Sequence, residues 1–172
     1  VPVIFGGGSP EPLEVIGTAA KERGCDFFAV DREKINVTSC DLSGTELEYD
    51  GEKVRLGLLG LYQPYNAATA ISTVRELRRR GLDIPEEALV KGMAEAKWKG
   101  RFEKLSEKDP LFIIDGSHNP EGISAAIMSI KHYFGGEKVC LLTGVLRDKD
   151  HTSMARELST VADSVFILKP PN

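Results

Sequence analysis

The feature that most constrains the fold is a regular alternation of short apolar runs and helical segments in the last part of the chain. Apolar runs of strand length predict β-strands at Leu111–Ile114, Lys138–Leu142 and Ser164–Leu168. Helices are predicted between them at Pro120–Phe134 and His151–Val161. A helix between two strands is typical of the crossover that joins parallel strands. This part of the chain is therefore predicted to be α/β, with an open, mostly parallel, Rossmann-like sheet.

The first part of the chain predicts a further α/β region, which an antiparallel segment interrupts. Its predicted elements are strand Val1–Phe5, helix Glu11–Arg23, strands Asp26–Val30, Ile35–Thr38, Glu46–Tyr49 and Lys53–Leu56, and helices from Asn66 to Arg80 and from Ile84 to about Ala96. Asp50-Gly51 is a strong signal for a hairpin turn. Because Trp98–Glu103 breaks the helical period, we predict a domain boundary there, giving domains at 1–98 and 99–172.

Composition limits the classes of partner. The net charge is −4 and acidic residues are mixed with basic ones, so nucleic-acid binding is not predicted. The one dense basic run, Arg78–Arg80, is predicted to be a solvated helix end, where cations favour the helix dipole. No apolar run approaches the roughly 20 residues of a membrane-spanning helix, so no membrane partner is expected. Three widely spaced cysteines, Cys25, Cys40 and Cys140, favour reduced thiols and a cytoplasmic location.

The richest chemical segment is Asp115–Pro120, with the sequence Asp-Gly-Ser-His-Asn-Pro. It follows a predicted parallel strand, and open α/β sheets bind ligands at that end of their strands. Asn119 is a favourable N-cap, and a helix start can bind an anionic phosphate. Asp115 and His118 would lie beside that phosphate. A tight turn with a capping asparagine and an incidental histidine is the alternative, and both interpretations stay open.

Two other groups have polar side chains that suit a ligand. Arg101 can hold a phosphate with two parallel hydrogen bonds, or it can pair at the surface with Glu103 or a neighbouring residue. Gln63 and Asn66 stand at a predicted helix start, where their amides can bind a purine edge, or Asn66 can simply cap the helix.

Two further loops contain glycine and follow a predicted strand, as anion-binding loops often do. The loop 144–150 contains Arg147 and Lys149, which can hold a carboxylate or phosphate, or can form a charged, solvated loop. Gly6-Gly7-Gly8-Ser9 follows a predicted strand, but it matches neither GxGxxG nor GxxxxGK[ST] and is predicted to be a flexible turn.

Taken in order, five segments resemble one family. Their sequences are similar to its (G)xHQxxNAA, WxGRxE, DG(A/S)HNP, GxxxDKD and PPN motifs, at Leu59–Ala68, Trp98–Glu103, Asp115–Pro120, Gly144–Asp150 and Lys169–Asn172. The family is folylpolyglutamate synthase/dihydrofolate synthase, within the Mur ligase superfamily. Each motif is moderately specific, and the ordered set is strong. The resemblance implies the tail of a central ATPase domain followed by a small Rossmann-like carboxy-terminal domain, truncated at its end.

The resemblance implies an ATP-dependent ligase that adds L-glutamate to folates. ATP phosphorylates a carboxylate of the folate or dihydropteroate, and the glutamate amino group then attacks the acyl phosphate. Residue by residue, it implies that Arg101 and Asp115 bind the nucleotide and that His118 is catalytic, close to the phosphates or ribose. Gln63 and Asn66 would line the adenine pocket. The family uses ATP with Mg²⁺, whose ligands are expected in a part amino-terminal to this chain.

Arg147 and Lys149 are placed by the resemblance on the substrate side of the site. Tyr62 departs from the family, which often has histidine there, so it is given no ligand role. Two other functions stay open: a Mur-type ligase that acts on a peptidoglycan precursor, and a nucleotide- or folate-binding module without catalysis. Exposed sheet edges suggest self-association.

We expect the 172-residue polypeptide alone to show little or no ligase turnover, because no GxxxxGK[ST] phosphate loop occurs in its sequence. The measurement is folate-dependent ADP release at saturating ATP-Mg²⁺ and L-glutamate. Robust turnover by this polypeptide would contradict the expectation.

Overall fold

A computed structural model describes residues 1–106, 108–135, 137, 139–146 and 149–169. The chain divides into two compact units, Val1–Lys97 and Trp98–Asn172. The predicted boundary lies one residue from this division. In the described residues no helix is long and apolar enough to cross a membrane.

The first unit combines a parallel strand pair, an antiparallel sheet and three α-helices among the residues that the structure describes. In chain order its elements are β1 (Val3–Phe5), α1 (Pro10–Glu22), β2 (Phe27–Ala29), β3 (Ile35–Asp41), β4 (Gly44–Tyr49), β5 (Glu52–Leu56), α2 (Gln63–Arg79) and α3 (Glu86–Glu95). Strands β1 and β2 are parallel, with Ile4 opposite Phe28, as a strand–helix–strand unit requires. The predicted order of elements is therefore confirmed in this unit.

The antiparallel sheet has the order β3-β4-β5. Asp50 and Gly51 have φ angles of 53° and 89°, the left-handed conformations that a two-residue hairpin turn needs. The predicted hairpin is confirmed. Strand β3 extends to Asp41, three residues beyond the prediction, and its register shifts between Val37 and Ser39. A bulge of this kind obscures simple alternation in the sequence.

Helices α2 and α3 cover the antiparallel sheet and close the core of the first unit. The core joins apolar residues of β4, β5, α2 and α3 with Val30, and its buried members are Val30, Leu47, Tyr49, Val54, Leu56, Ala67, Ala68, Ile71 and Leu89. Helix α2 begins at Gln63, three residues before the predicted start at Asn66. Pro64 permits the earlier start. The N–H groups of the first turn have no partner within the helix, so the N–H that proline lacks is not missed there.

The basic run at the end of α2 is more than the predicted solvated helix end. Arg80 lies 2.7 Å from Asp26 and 2.8 Å from Glu76, and the Arg78 Nε donates to the Ile84 carbonyl at 2.7 Å. Arg79 keeps the predicted exposure, with 69% of its side chain accessible. The run therefore fastens α2 to its neighbours as well as favouring the helix dipole.

The second unit contains two strand pairs and two helices among its described residues. Its elements are β6 (Glu103–Ser106), β7 (Phe112–Ile114), α4 (Pro120–Phe134), β8 (Cys140–Thr143), α5 (His151–Leu158) and β9 (Ser164–Ile167). Helices α4 and α5 pack together around Ile123, Ile127 and Met154. The predicted bounds of α4 are confirmed at both ends, while α5 ends three residues earlier than predicted.

The sheet of the second unit differs in part from the prediction. Strands β8 and β9 are parallel, as predicted, with Leu142 opposite Phe166. Strand β7, however, pairs antiparallel with β6, which the sequence analysis did not identify as a strand. The four residues of β6, Glu-Lys-Leu-Ser, offer one apolar side chain, so they carry almost no strand signal. Within the described residues β7 has no parallel partner, and the prediction of a parallel strand there was wrong.

Two glycines give a matched test of packing in the first unit. A Cβ on Gly57 would lie 2.2 Å from the Ala94 carbonyl oxygen, whereas a Cβ on Gly92, in α3, would meet nothing within 4 Å. We expect Gly57→Ala to lower the free energy of unfolding by about 1–3 kcal/mol through overpacking. Gly92→Ala should raise it by about 0.5–1 kcal/mol, because alanine favours a helix interior. Urea unfolding of both variants measures this difference, and equal effects would contradict it.

Candidate active site

The segment Asp115–Pro120 links β7 to α4 and forms the centre of the site in the second unit. The Asn119 side chain accepts a hydrogen bond from the Gly122 N–H at 2.9 Å, and Pro120 occupies the first turn. This is the predicted cap, in which a side-chain oxygen satisfies a helix N–H that has no partner within the helix. The cap fixes where the helix begins and so where the preceding loop must end.

Asp115 has a structural function within this loop. One carboxylate oxygen accepts hydrogen bonds from both the N–H and the hydroxyl of Ser117, the N–H at 2.9 Å. The other accepts from the Phe102 N–H at 2.8 Å. A carboxylate offers about four acceptor positions, so roughly one remains for a ligand. Asp115 therefore joins its own loop to the segment before β6.

That segment, Gly100–Glu103, is a tight turn held by hydrogen bonds to three consecutive N–H groups. Gly100 donates to the Glu103 carboxylate at 2.7 Å, Arg101 to the Trp98 carbonyl at 3.3 Å, and Phe102 to Asp115. The Gly100 carbonyl in turn accepts from the Gly116 N–H at 2.7 Å. The two loops are thus fixed to each other by side-chain and backbone bonds.

The buried side chain of Phe102 anchors the turn. The ring centroid of Phe102 lies 5.5 Å from that of Tyr133 in α4. Its φ of 46° is left-handed, a conformation that costs a non-glycine residue about 1–2 kcal/mol. The buried ring and the bond to Asp115 offset that cost. With Phe102 directed into the core, the neighbouring Arg101 is exposed.

Arg101 is not engaged by the acidic residue closest to it in sequence. Glu103 accepts from the Gly100 N–H instead, and within the described part of the chain no ion pair joins Arg101 to a carboxylate. The alternative interpretation, a surface arginine paired with Glu103, is therefore wrong. The guanidinium of Arg101 is left available for an anion.

His118 is exposed on the same loop as Asp115, and its ring is oriented by the backbone. Its Nδ1 lies 3.0 Å from the Gly116 carbonyl oxygen. Because a carbonyl only accepts, Nδ1 carries the proton in this contact and the neutral ring has a free acceptor at Nε2. The second unit therefore brings Arg101, Asp115 and His118 onto two joined loops.

Gln63 and Asn66 lie in the first unit, one helical turn apart in α2. The Asn66 Nδ2 donates to the Gln63 Oε1 at 2.9 Å. Asn66 does not cap the helix, so that alternative is wrong: the N-cap is Tyr62, which makes no side-chain capping bond. Gln63 is buried and Asn66 exposed, and their contact leaves the Asn66 oxygen able to accept from a ligand.

The fourth predicted group is only partly described. Arg147 lies outside the described residues. Lys149 is half-buried, and its carbonyl accepts from the His151 N–H at 2.8 Å as α5 begins. Asp150 caps α5 by accepting from the Ser153 N–H at 3.1 Å. Hydrogen bonds with the side chain and backbone of Ser153 hold the pKa of Asp150 below its ordinary value.

No group of three or more histidine, cysteine, aspartate or glutamate residues suited to a metal ion occurs in the described ranges. Within those ranges the side chains therefore offer no carboxylate cluster suited to Mg²⁺.

No role was predicted for Phe102 or Ser117, and Glu103 was predicted only as a possible ion-pair partner of Arg101. A signal for Glu103 existed, since an acidic residue three positions after a glycine can reach back to the glycine N–H. Nothing local marks Phe102, whose bond to Asp115 joins residues 13 positions apart.

These two loops belong to a known type of domain. Residues 100–172 match the family described as Mur ligase, glutamate ligase domain. The second unit of this chain therefore matches a Mur ligase carboxy-terminal domain and has the α/β fold that the sequence predicts.

The resemblance extends beyond that domain to the folylpolyglutamate and dihydrofolate synthases. The chain is 30% identical over 99% of its length to a folylpolyglutamate synthase of Lacticaseibacillus casei, of which it covers 41%. It is 27% identical over 96% of its length to a dihydrofolate synthase/folylpolyglutamate synthase of Bacillus subtilis, of which it covers 40%. The chain spans about two-fifths of the length of these relatives. The predicted resemblance is confirmed.

Solved structures give the same result. The folylpolyglutamate synthase of Thermotoga maritima matches 98% of this chain with a TM-score of 0.82 at 31% identity, over 41% of its own chain. A complex of folylpolyglutamate synthase with AMPPCP and folate matches 99% with a TM-score of 0.84 at 28% identity, over 43% of its chain.

The Asp150 cap predicts a pH dependence of stability. Because the pKa of Asp150 is lower in the folded protein than its ordinary 3.8, its contribution is present above about pH 4 and is lost as the pH falls through the folded value. Asp150→Ala should therefore lower the melting temperature at pH 7, and the difference from the parent should shrink below pH 4. Asp150→Asn, which keeps a capping oxygen, should show little loss at pH 7. A pH-independent deficit in Asp150→Ala would contradict this.

Proposed function

We propose that this chain is part of an ATP-dependent ligase that adds L-glutamate to folates or to dihydropteroate. The observation that carries the proposal is the pair of joined loops, which presents an uncommitted Arg101 and an oriented His118 at the start of α4. Relatives that match 92–99% of the chain and are named folylpolyglutamate or dihydrofolate synthases support this choice of substrates.

The proposed reaction has two steps. A carboxylate oxygen of the folate attacks the γ-phosphorus of ATP, the bond to the β-phosphate oxygen breaks, and ADP leaves with the electron pair. The amino nitrogen of L-glutamate then attacks the acyl carbon, loses a proton and expels phosphate, which leaves an amide. Charge moves at phosphate in both steps, so fixed cations and dipoles provide most of what a protein can contribute.

In the second unit, Arg101 supplies the fixed cation. Its guanidinium can hold two phosphate oxygens in parallel, and the ordered turn beneath it reduces the entropy lost on binding. The remaining acceptor position of Asp115 suits a hydroxyl of the nucleotide ribose. His118 acts at the phosphates as the proposed catalytic residue, donating through Nε2 when protonated and accepting there when neutral.

In the first unit, Asn66 and Gln63 form a small amide pair that suits a purine edge. The exposed Asn66 supplies the contacts, and the buried Gln63 holds its orientation through the 2.9 Å bond. Lys149 and Arg147 are proposed for the carboxylates of the glutamate or folate. Mg²⁺ enters with ATP and is not assigned to residues of this chain.

A second candidate is a Mur-type ligase acting on a peptidoglycan precursor. A UDP-N-acetylmuramoyl-L-alanyl-D-glutamate–2,6-diaminopimelate ligase of Caldanaerobacter subterraneus is 32% identical over 70% of this chain, with 24% of its own length covered. Titration of the gene product that contains these 172 residues with a pteroate-containing ligand, and then with a nucleotide-linked muramyl ligand, distinguishes the folate ligase from the Mur-type ligase. Binding of the muramyl ligand alone would replace the folate proposal.

The role of Arg101 can be measured by calorimetric titration of ATP-Mg²⁺ into the gene product that contains these 172 residues. Arg101→Ala should weaken binding by about 10- to 100-fold, since it removes a charge-assisted contact to phosphate. Lys99→Ala is the matched control: it removes the same charge two positions earlier from an exposed side chain and should leave the affinity nearly unchanged.

Folate-dependent ADP release by the same gene product tests the reaction itself. Release that requires both folate and L-glutamate supports the proposed ligase. Tight ATP binding without any release under these conditions would favour a binding module instead. Equal affinities of Arg101→Ala and Lys99→Ala would remove Arg101 from the nucleotide site.

A further inference from the structure

We propose that Glu103 is a positioning residue that sets the orientation of Arg101 for the nucleotide. This inference rests on the proposed function and deepens it, because Glu103 is given no direct contact with a ligand. Glu103 lies two positions from an arginine, yet it accepts a hydrogen bond from the backbone N–H of Gly100 at 2.7 Å.

The bond fixes the neighbour of Arg101 that Asp115 does not hold. Glu103 holds the residue before Arg101, and Asp115 holds the residue after it, at 2.7 and 2.8 Å. Both bonds join a backbone N–H to a charged acceptor, which makes them stronger than bonds between neutral groups. Arg101 therefore sits on a backbone segment fixed at both neighbours by carboxylates.

The turn needs such fastening because two of its residues have left-handed backbones. Gly100 has a φ of 72° and Phe102 a φ of 46°. Glycine adopts this region without strain, but it also gives the turn many other conformations once the bond to Glu103 is removed. Without Glu103, the chain before Arg101 would sample these conformations, and the backbone that carries Arg101 would be fixed only when ligand binds.

The arrangement also keeps Glu103 from neutralising Arg101. A carboxylate that accepts the Gly100 N–H is held in place and is not paired with the guanidinium. The same residue thus orders the turn and leaves the cation available. If this is its role, its effect on nucleotide binding must pass through Arg101.

A double-mutant cycle in the gene product tests this directly, with ATP-Mg²⁺ as the probe. Glu103→Ala should weaken ATP binding by about three- to tenfold. The loss is smaller than for Arg101→Ala, because the lost hydrogen bond orders the turn and does not contact the ligand. Glu103→Gln keeps an oxygen acceptor and should recover most of the affinity. In an Arg101→Ala background, Glu103→Ala should have no further effect. Glu137→Ala, at an exposed glutamate of the same unit, is the control and should match the parent.

Amide hydrogen exchange separates this inference from the proposed function. The Gly100 amide should exchange faster in Glu103→Ala than in the parent, with the melting temperature of the unit little changed. Unchanged exchange, unchanged affinity in Glu103→Ala, or an equal loss in the Arg101→Ala background would each overturn the positioning role. If Arg101→Ala itself leaves ATP affinity intact, the nucleotide role of Arg101 fails and the positioning role of Glu103 fails with it, even where the exchange rate shows that Glu103 orders the turn.

Discussion

The carboxylate of Asp115 is the interaction on which the site of the second unit depends. It gathers an N–H and a hydroxyl from Ser117 and an N–H from Phe102, so one side chain fixes the loop before α4 and the turn before β6. Taken out of water without these donors, a carboxylate would be costly to bury, and the donors without it would be left unpaired. These hydrogen bonds of Asp115 fix the backbone of the two loops that carry the exposed residues Arg101 and His118.

The parts of the fold that were predictable from sequence are those with local causes. Helix α4 begins and ends where predicted, because Asn119 and Pro120 mark its start and its apolar spacing runs unbroken to Phe134. The hairpin was predictable because Asp50-Gly51 suits a turn that requires positive φ. In each case the determining residues lie within a few positions of the structure that they determine.

The parts that were not predictable depend on contacts between distant residues. Strand β6 exists because β7 supplies its hydrogen-bond partners, and its own four residues carry little β signal. The start of α2 moved to Gln63, which turned the expected cap at Asn66 into a side-chain pair within the helix. The candidate ligand-binding residues were predictable from their side-chain chemistry. The residues that hold them in place, Phe102, Glu103 and Ser117, are recognised only from their contacts in the structure.

At Phe102 a single residue must satisfy two requirements of the loop, a left-handed backbone and a buried side chain. Its backbone conformation is one that glycine would adopt freely, while its buried ring fills space against Tyr133 that glycine would leave empty. A β-branched residue would fill part of that space but would resist the left-handed backbone. Position 102 therefore accepts a narrow set of amino acids for reasons unrelated to ligand chemistry. The residue at this position is restricted by the fold of the turn, whereas the neighbouring Arg101 is restricted by the proposed binding of the ligand.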